Sequence, residues 1–214
     1  MSTNQPRRQQ GLSLIELIIF MVVMGIGAAV ILQVMNFTTK NSVDPVLRKQ
    51  ALLLAEAYLE EVELARFTYC DPTDPLAATA NSAAGCTDVA HQEAIGQEAV
   101  AGAVGRPFDN VSDYATAFGV AQQNFTNGAG ALTDVNGNVI DAARLAGYTV
   151  TVALNVVPAV SPLGPAALAV TSNGTPAGMN ALRITVQVKY GGGSANETVT
   201  LDGYRTRYAP RAVP

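Results

Sequence analysis

Tryptophan is absent from this chain of 214 residues, histidine occurs once and cysteine twice. Charged residues make up only 14% of it, with a formal net charge of −4. Each scarcity excludes something. No Lys/Arg cluster is longer than two, which argues against general nucleic-acid binding. The lone histidine, His91, lies in an Ala/Gln-rich loop without a Cys or acidic partner at metal spacing, and reads as a surface residue. No G-x-S-x-G, phosphate loop or H-E-x-x-H is present, so catalytic equipment is sparse and no cofactor is implied. The expectation is a chain that is not an enzyme.

Hydrophobic residues, by contrast, make up 49% of the chain. From Leu17 to Leu32 nothing is charged or strongly polar. Extended to Met35, the run is about 28 Å long as a helix, close to the hydrocarbon thickness of a bilayer. Arg7 and Arg8 precede it, which orients the N-terminus to the cytoplasm and the remainder to the exported side. No small-residue cleavage site follows the run. A glycine, Gly11, precedes it instead, so processing is expected to remove a short polar leader and leave the apolar helix on the mature protein. Glu16 sits inside this apolar stretch, where a carboxylate costs several kcal/mol.

The stretch "GLSLIELIIF" resembles the N-terminal signature of type IV prepilins and type II secretion pseudopilins. That pattern is a short basic leader, Gly, a hydrophobic residue, a few small or apolar residues, and Glu at the fifth mature position. Gly11 matches the last leader residue, Leu12 the first mature residue (where Phe is usual), and Glu16 the fifth. The resemblance implies cleavage by a prepilin peptidase between Gly11 and Leu12 and N-methylation of Leu12. It also implies that Glu16 faces the N-terminal amine of a neighbouring subunit. A charge in an apolar core needs a partner, and a chain terminus is the only cation this segment can supply. Gln33 stands where major pilins often carry a proline, and Gly25 and Gly27 are places where the helix could loosen.

Beyond the span, "TTKNSVDPVLRKQ" breaks the apolar pattern, with Asp44 as a plausible N-cap and Pro45 as a first-turn residue. A second helix is expected from Pro45 to Phe67. Its apolar positions Leu47, Ala51, Leu54, Tyr58, Val62 and Ala65 form an amphipathic stripe. Glu60, Glu61 and Glu63 follow Arg48 and Lys49 along it, against the helix dipole. They read as a solvated face, or as axial charge pairs between stacked subunits. "QALLLAEAYLEEVELARF" and, further on, "RPFDNVSDYATAFG" resemble a minor-subunit group of mannose-sensitive haemagglutinin (MSHA) pili. In the second stretch Asp109, Asp113 and Tyr114 read as an Asx-rich turn that pins the loop, or as a small polar cluster.

Cys70 and Cys86, on an oxidising side of the membrane, read as a disulfide closing a loop of turn residues. "TDVNGNVID" carries hairpin chemistry at Asn136-Gly137. Asp134, Asn136, Asn138 and Asp141 also offer oxygens at a spacing that suits calcium, although the stretch is not an EF-hand. Three strands follow, in "GYTVTVALNVV", "ALRITVQVKY" and "NETVTLDGY", with period-2 alternation. They predict a one-sided antiparallel meander whose apolar face needs the amphipathic helix as its cover.

The expected fold is α+β, the pilin fold: a long N-terminal helix, half membrane and half amphipathic, packed on a C-terminal antiparallel sheet. The expected divisions are a leader (1–11), an assembly helix (12–35), an amphipathic helix (36–67), a loop-rich region (68–145), the sheet (146–208) and a tail (209–214). The resemblance implies a minor type IV pilin that helps prime or stabilise a filament. Its partners would be major and minor pilins, the prepilin peptidase, the inner-membrane assembly platform and the inner membrane, with no nucleic acid. It would be a single-pass inner-membrane protein before assembly and lie in the periplasm or a surface pilus afterwards. The alternatives are a minor pseudopilin of a type II secretion system and, from another class, a membrane-tethered adhesin.

Overall fold

A computed structural model describes residues 13–97, 105–166, 169–191 and 197–207, without the side chains of residues 37–44. The chain divides into two compact units, Met1–Val46 and Leu47–Pro214. A single helix, α1 (Leu14–Leu64), contributes its first part to one and its last part to the other. The expected break before Pro45 is therefore corrected, because helical backbone continues through the proline. Proline removes one donor and crowds the carbonyl four residues back, at a cost of about 3 kcal/mol. The local cap signal at Asp44-Pro45 looks the same at a helix start and inside a helix, and the helix-forming residues on both sides carry the element through. The helix also stops at Leu64, three residues short of the expected Phe67.

In the first unit, the stretch Leu14–Asn36 is long and apolar enough to cross a membrane, and none of it is buried.

The second unit is built on a three-stranded antiparallel sheet in the order β1 (Thr149–Val156), β2 (Ala181–Tyr190), β3 (Glu197–Thr206). This is the expected meander. Register places Val150, Val188 and Val199 in one cross-strand row, and Val152, Val186 and Leu201 in the next. All of the β2 residues expected on the apolar face, from Leu182 to Tyr190 in steps of two, are buried. Burying such side chains contributes roughly 1.5–3 kcal/mol each.

The cover over this face is the last part of α1. Ala51, Ala55, Tyr58 and Val62 are buried in one cluster with the sheet, at the spacing of one helix face. Hydrogen bonds near its two ends tie the helix down: Tyr148 Oη to Gln50 Oε1 at 2.7 Å and Arg205 Nη2 to the Ala65 carbonyl at 3.3 Å. The third cross-strand row is Leu154, Ile184 and Gly203, and the glycine is where the helix comes closest. A Cβ on Gly203 would collide with the Glu63 carboxylate and stand 3.0 Å from Leu59 Cδ1. Strand glycine of this kind marks a close backbone approach.

The described residues between 65 and 145 have little regular structure. Short 3-10 turns lie at Ala83–Gly85, Val89–His91 and Val111–Tyr114, and one helical turn, α2, at Ala142–Leu145. Paired backbone fragments brace them. Asp71 N donates to His91 O and Glu93 N to Tyr69 O, both at 2.9 Å, and Gly119 and Gln122 bond to the outer edge of β1.

The crowding at Gly203 separates two substitutions. Gly203→Ala needs the tip of Glu63 to swing aside and Leu59 Cδ1 to give by a few tenths of an ångström, and should cost little. Gly203→Val adds two further methyl groups at the same crowded place and should destabilise by about 1–3 kcal/mol, despite the β propensity of valine. Urea unfolding of both variants checks this, and equal midpoints would refute the close approach.

Candidate assembly site and the Glu61–Arg106 groove

Glu16 lies in the first turn of α1, and the Ser13 carbonyl accepts the N–H groups of Glu16 and Leu17 at 3.0 and 3.2 Å. A carboxylate here gains from the helix dipole, by about 0.3–1 kcal/mol. That is less than the several kcal/mol that hydrocarbon takes from an unpaired acid. The dipole alone therefore does not offset the cost of placing Glu16 in hydrocarbon. The side chains around it, Leu14, Ile15 and Ile19, are exposed. Gly11 and Leu12, the expected processing positions, lie outside the described residues.

In the second unit, a groove of about 920 Å³ runs along α1 beside the loops, between Leu54, Ala57 and Leu64 on one side and Phe108, Tyr114 and Ile140 on the other. Polar groups line it at several places, among them Glu60, Glu61, Arg66, Thr73 and Asp109. Arg106 Nη2 donates to Glu61 Oε2 at 2.8 Å, with 6% and 12% of the two side chains exposed. Tyr114 Oη donates to Glu61 Oε1 at 2.9 Å. The same guanidinium donates from Nε and Nη2 to the Asp134 carbonyl, and it lies over the rings of Phe108 and Phe125. Tyr58 Oη donates to the Thr133 carbonyl at 2.9 Å. Burial pushes the Tyr58 phenol up to about 12, against the pull of Arg106. It raises Tyr114 further, with the Glu61 carboxylate adding to the effect. Both phenols therefore stay neutral donors across the physiological range.

Glu61 thus departs from both sequence readings of its acidic face. It is neither solvated nor set aside for a neighbouring subunit, but holds two loop residues against the helix. Nothing in the sequence places Arg106, 45 positions away, beside it. Glu60 is exposed, as a solvated face requires.

The "RPFDNVSDY" stretch does pin its loop. Asn110 caps the 3-10 turn, Asp113 Oδ2 accepts the Asn110 N–H at 3.1 Å, and the Val111 N–H bonds back to the Arg66 carbonyl. Asp109 lines the groove.

Of the four oxygen donors considered for calcium, Asp134 and Asp141 accept backbone N–H groups here. Asp134 Oδ1 accepts the N–H groups of Asn136 and Asn138, and Oδ2 accepts Asn138 Nδ2. Backbone and side-chain donation from Asn138 outweighs burial and lowers the Asp134 pKa. Gly137, at φ +81°, closes the turn by donating to the Asp134 carbonyl. Asp141 caps α2 and pairs with Arg144 at 3.3 Å.

Cys70 and Cys86 form the expected disulfide. Beside it, Asp74 Oδ1 accepts from Leu76 N and Thr87 Oγ1, and Oδ2 from Thr87 N. His91 is half-buried rather than isolated: Nδ1 lies 2.7 Å from Asp88 Oδ1. That bond raises the histidine above its usual 6.5.

Two predictions follow from these contacts. Removing one member of a buried ion pair strands the other, so Arg106→Ala should cost about 3–5 kcal/mol in urea unfolding. The apolar double variant Glu61→Leu with Arg106→Met should recover much of that loss. If the double variant is no more stable than Arg106→Ala, the stranded-charge account is wrong. For His91 the folded pKa is raised, so its linked stability is complete below 6.5 and fades as pH rises through the folded value. His91→Gln should therefore lower the unfolding midpoint at about pH 5.5 more than at about pH 8.5. An equal drop at both would mean that the ring acts by packing alone.

No curated protein and no solved structure matches the chain. Residues 6–32 match the family model of the prokaryotic N-terminal methylation motif. The match covers Gly11, Leu12 and Glu16 together with most of the exposed apolar stretch of α1. The chain therefore carries the N-terminal motif of type IV pilin-like prepilins, set before an α+β domain in which a helix covers an antiparallel sheet.

Proposed function

We propose that this chain is a minor type IV pilin. A prepilin peptidase cleaves it after Gly11, Leu12 becomes the N-methylated first residue, and the mature subunit joins a filament. The observation that carries the reading is the methylation motif at residues 6–32 in register with an apolar helical span none of which is buried. An apolar surface of that length needs either lipid or the helices of other subunits. Glu16 needs a cation, and the new amine of a neighbouring Leu12 supplies one. Before assembly the chain spans the inner membrane, where it meets the peptidase and the assembly platform. Afterwards it lies among major and minor pilins in the filament.

The minor, MSHA-type assignment rests on the two stretches that resemble that group. They are also in contact, since Glu61 of the first bonds to Arg106 and Tyr114 of the second. A minor pseudopilin would use the same motif and the same assembly chemistry. The two differ in destination, a pilus at the cell surface or a short filament in the periplasm.

Mass spectrometry of sheared filaments should find a mature chain that begins with N-methyl-Leu12, and Gly11→Val should leave unprocessed precursor in the membrane. A mature chain that retains Arg7 and Arg8 would overturn the reading. Glu16→Ala should keep membrane level and cleavage while blocking incorporation, with Glu16→Gln in between. A tethered adhesin would tolerate the alanine or insert better. Deleting the gene should reduce surface piliation if the filament is a pilus, and protein secretion if it is a pseudopilus.

A further inference from the structure

We propose that oxidation of Cys70 and Cys86 completes the docking site for the end of β3, so that the disulfide acts as a compartment-sensitive latch on the last strand. As the strand leaves the sheet, Arg207 N donates to Asn180 O at 2.8 Å. Its guanidinium then lies 4.6 Å from the centre of the Phe67 ring and 4.2 Å from that of Tyr69, and Nη1 donates to the Pro176 carbonyl at 2.8 Å. A desolvated cation held against two rings gains about 2 kcal/mol or more, provided the rings stay in place.

Phe67 is fixed by the main core, in which it is buried. Tyr69 is not. It packs instead against a separate small cluster of Cys70, Ala77, Ala80 and Cys86, whose centre is the disulfide. Its carbonyl accepts the N–H of Glu93, in the short ladder that pairs Cys70 with Gln92. Cys70 and Glu93 are fully buried. A cluster this small, two alanines and two cysteines, has little apolar area to hold itself together. The cross-link keeps Cys86 and the alanine turns against Tyr69, and Tyr69 in turn is one of the two rings beneath Arg207.

Closing the latch is a balanced exchange. The two thiols give up two protons and two electrons, and a protein disulfide donor of the exported compartment accepts them and becomes a dithiol. The cytoplasm keeps thiols reduced. On the reading that this domain is exported, the end of β3 is undocked on the synthesis side and locks down only after crossing.

Hydrogen exchange on the full chain in detergent micelles tests this without any filament, so its failure would leave the assignment as a pilin standing. Reduction with dithiothreitol should lower protection in Tyr204–Arg207 at least about tenfold more than in Ile184–Val188 of β2, because a local opening is being released. Tyr69→Ala, with the disulfide intact, should reproduce that local loss. A uniform fall across the sheet on reduction, or no fall, would overturn the latch. So would full protection of Tyr204–Arg207 in Tyr69→Ala.

Discussion

An antiparallel sheet with one apolar face needs a cover, and here the cover is the last part of α1. Ala51 and Ala55 let the helix sit low on the strands, while Tyr58 and Val62 fill the space farther along. Gly203 gives up its side chain at the point of closest approach. Once the helix is seated, its two flanks become walls. One lies over β3 through Leu59 and Glu63, and the other carries Glu61 into the loops. The described loop residues have little regular structure of their own, and those around Arg106 and Tyr114 are held by that flank. Arg106, Tyr114 and the Asp134 turn are all attached to Glu61 directly or through one intermediate.

Charge is used sparingly and with different consequences in the two units. At Glu61 the carboxylate is answered within the chain, by a guanidinium and a phenol that burial keeps protonated. At Glu16, among the described residues, the helix's own first turn favours the charge, by less than hydrocarbon would cost it. The first acid is a rivet inside a domain. The second lies in the segment that carries the methylation motif, and the proposed assembly role would give it a partner in a neighbouring subunit.

The parts of the fold legible in the sequence are those with a strong period. The β2 run alternates so regularly that its limits and buried face read directly from "ALRITVQVKY". The stripe on α1 was legible for the same reason, although Ala55, which is fully buried, lay one position from Leu54 and was passed over for it. Pro45 misled, since a cap signal is local and continuity of a helix is not. The role of Glu61 was hidden because its partner lies in a loop far along the chain, and pairings made by the fold leave no mark in local sequence. Gly203 carried no signal either; a strand glycine is compatible with a bulge, a bend or a close approach. At the candidate site the resemblance read from "GLSLIELIIF" and the family model fall on the same stretch, because the methylation motif is linear.

The contacts that close the second unit join residues far apart in the chain. Tyr58 meets Thr133 across 75 positions, Gln50 meets Tyr148 across 98, and Ala65 meets Arg205 across 140. Contacts this distant make folding slow, because loop-closure entropy is lost before they form. They also impose an order during synthesis. At about 5–20 residues per second, the last strand leaves the ribosome on the order of 10 s after the helix it must meet. Throughout that interval the stripe from Leu47 to Val62 exists without the sheet that covers it. The helix that organises the finished domain is thus also the part of the nascent chain that most needs shelter from other apolar surfaces.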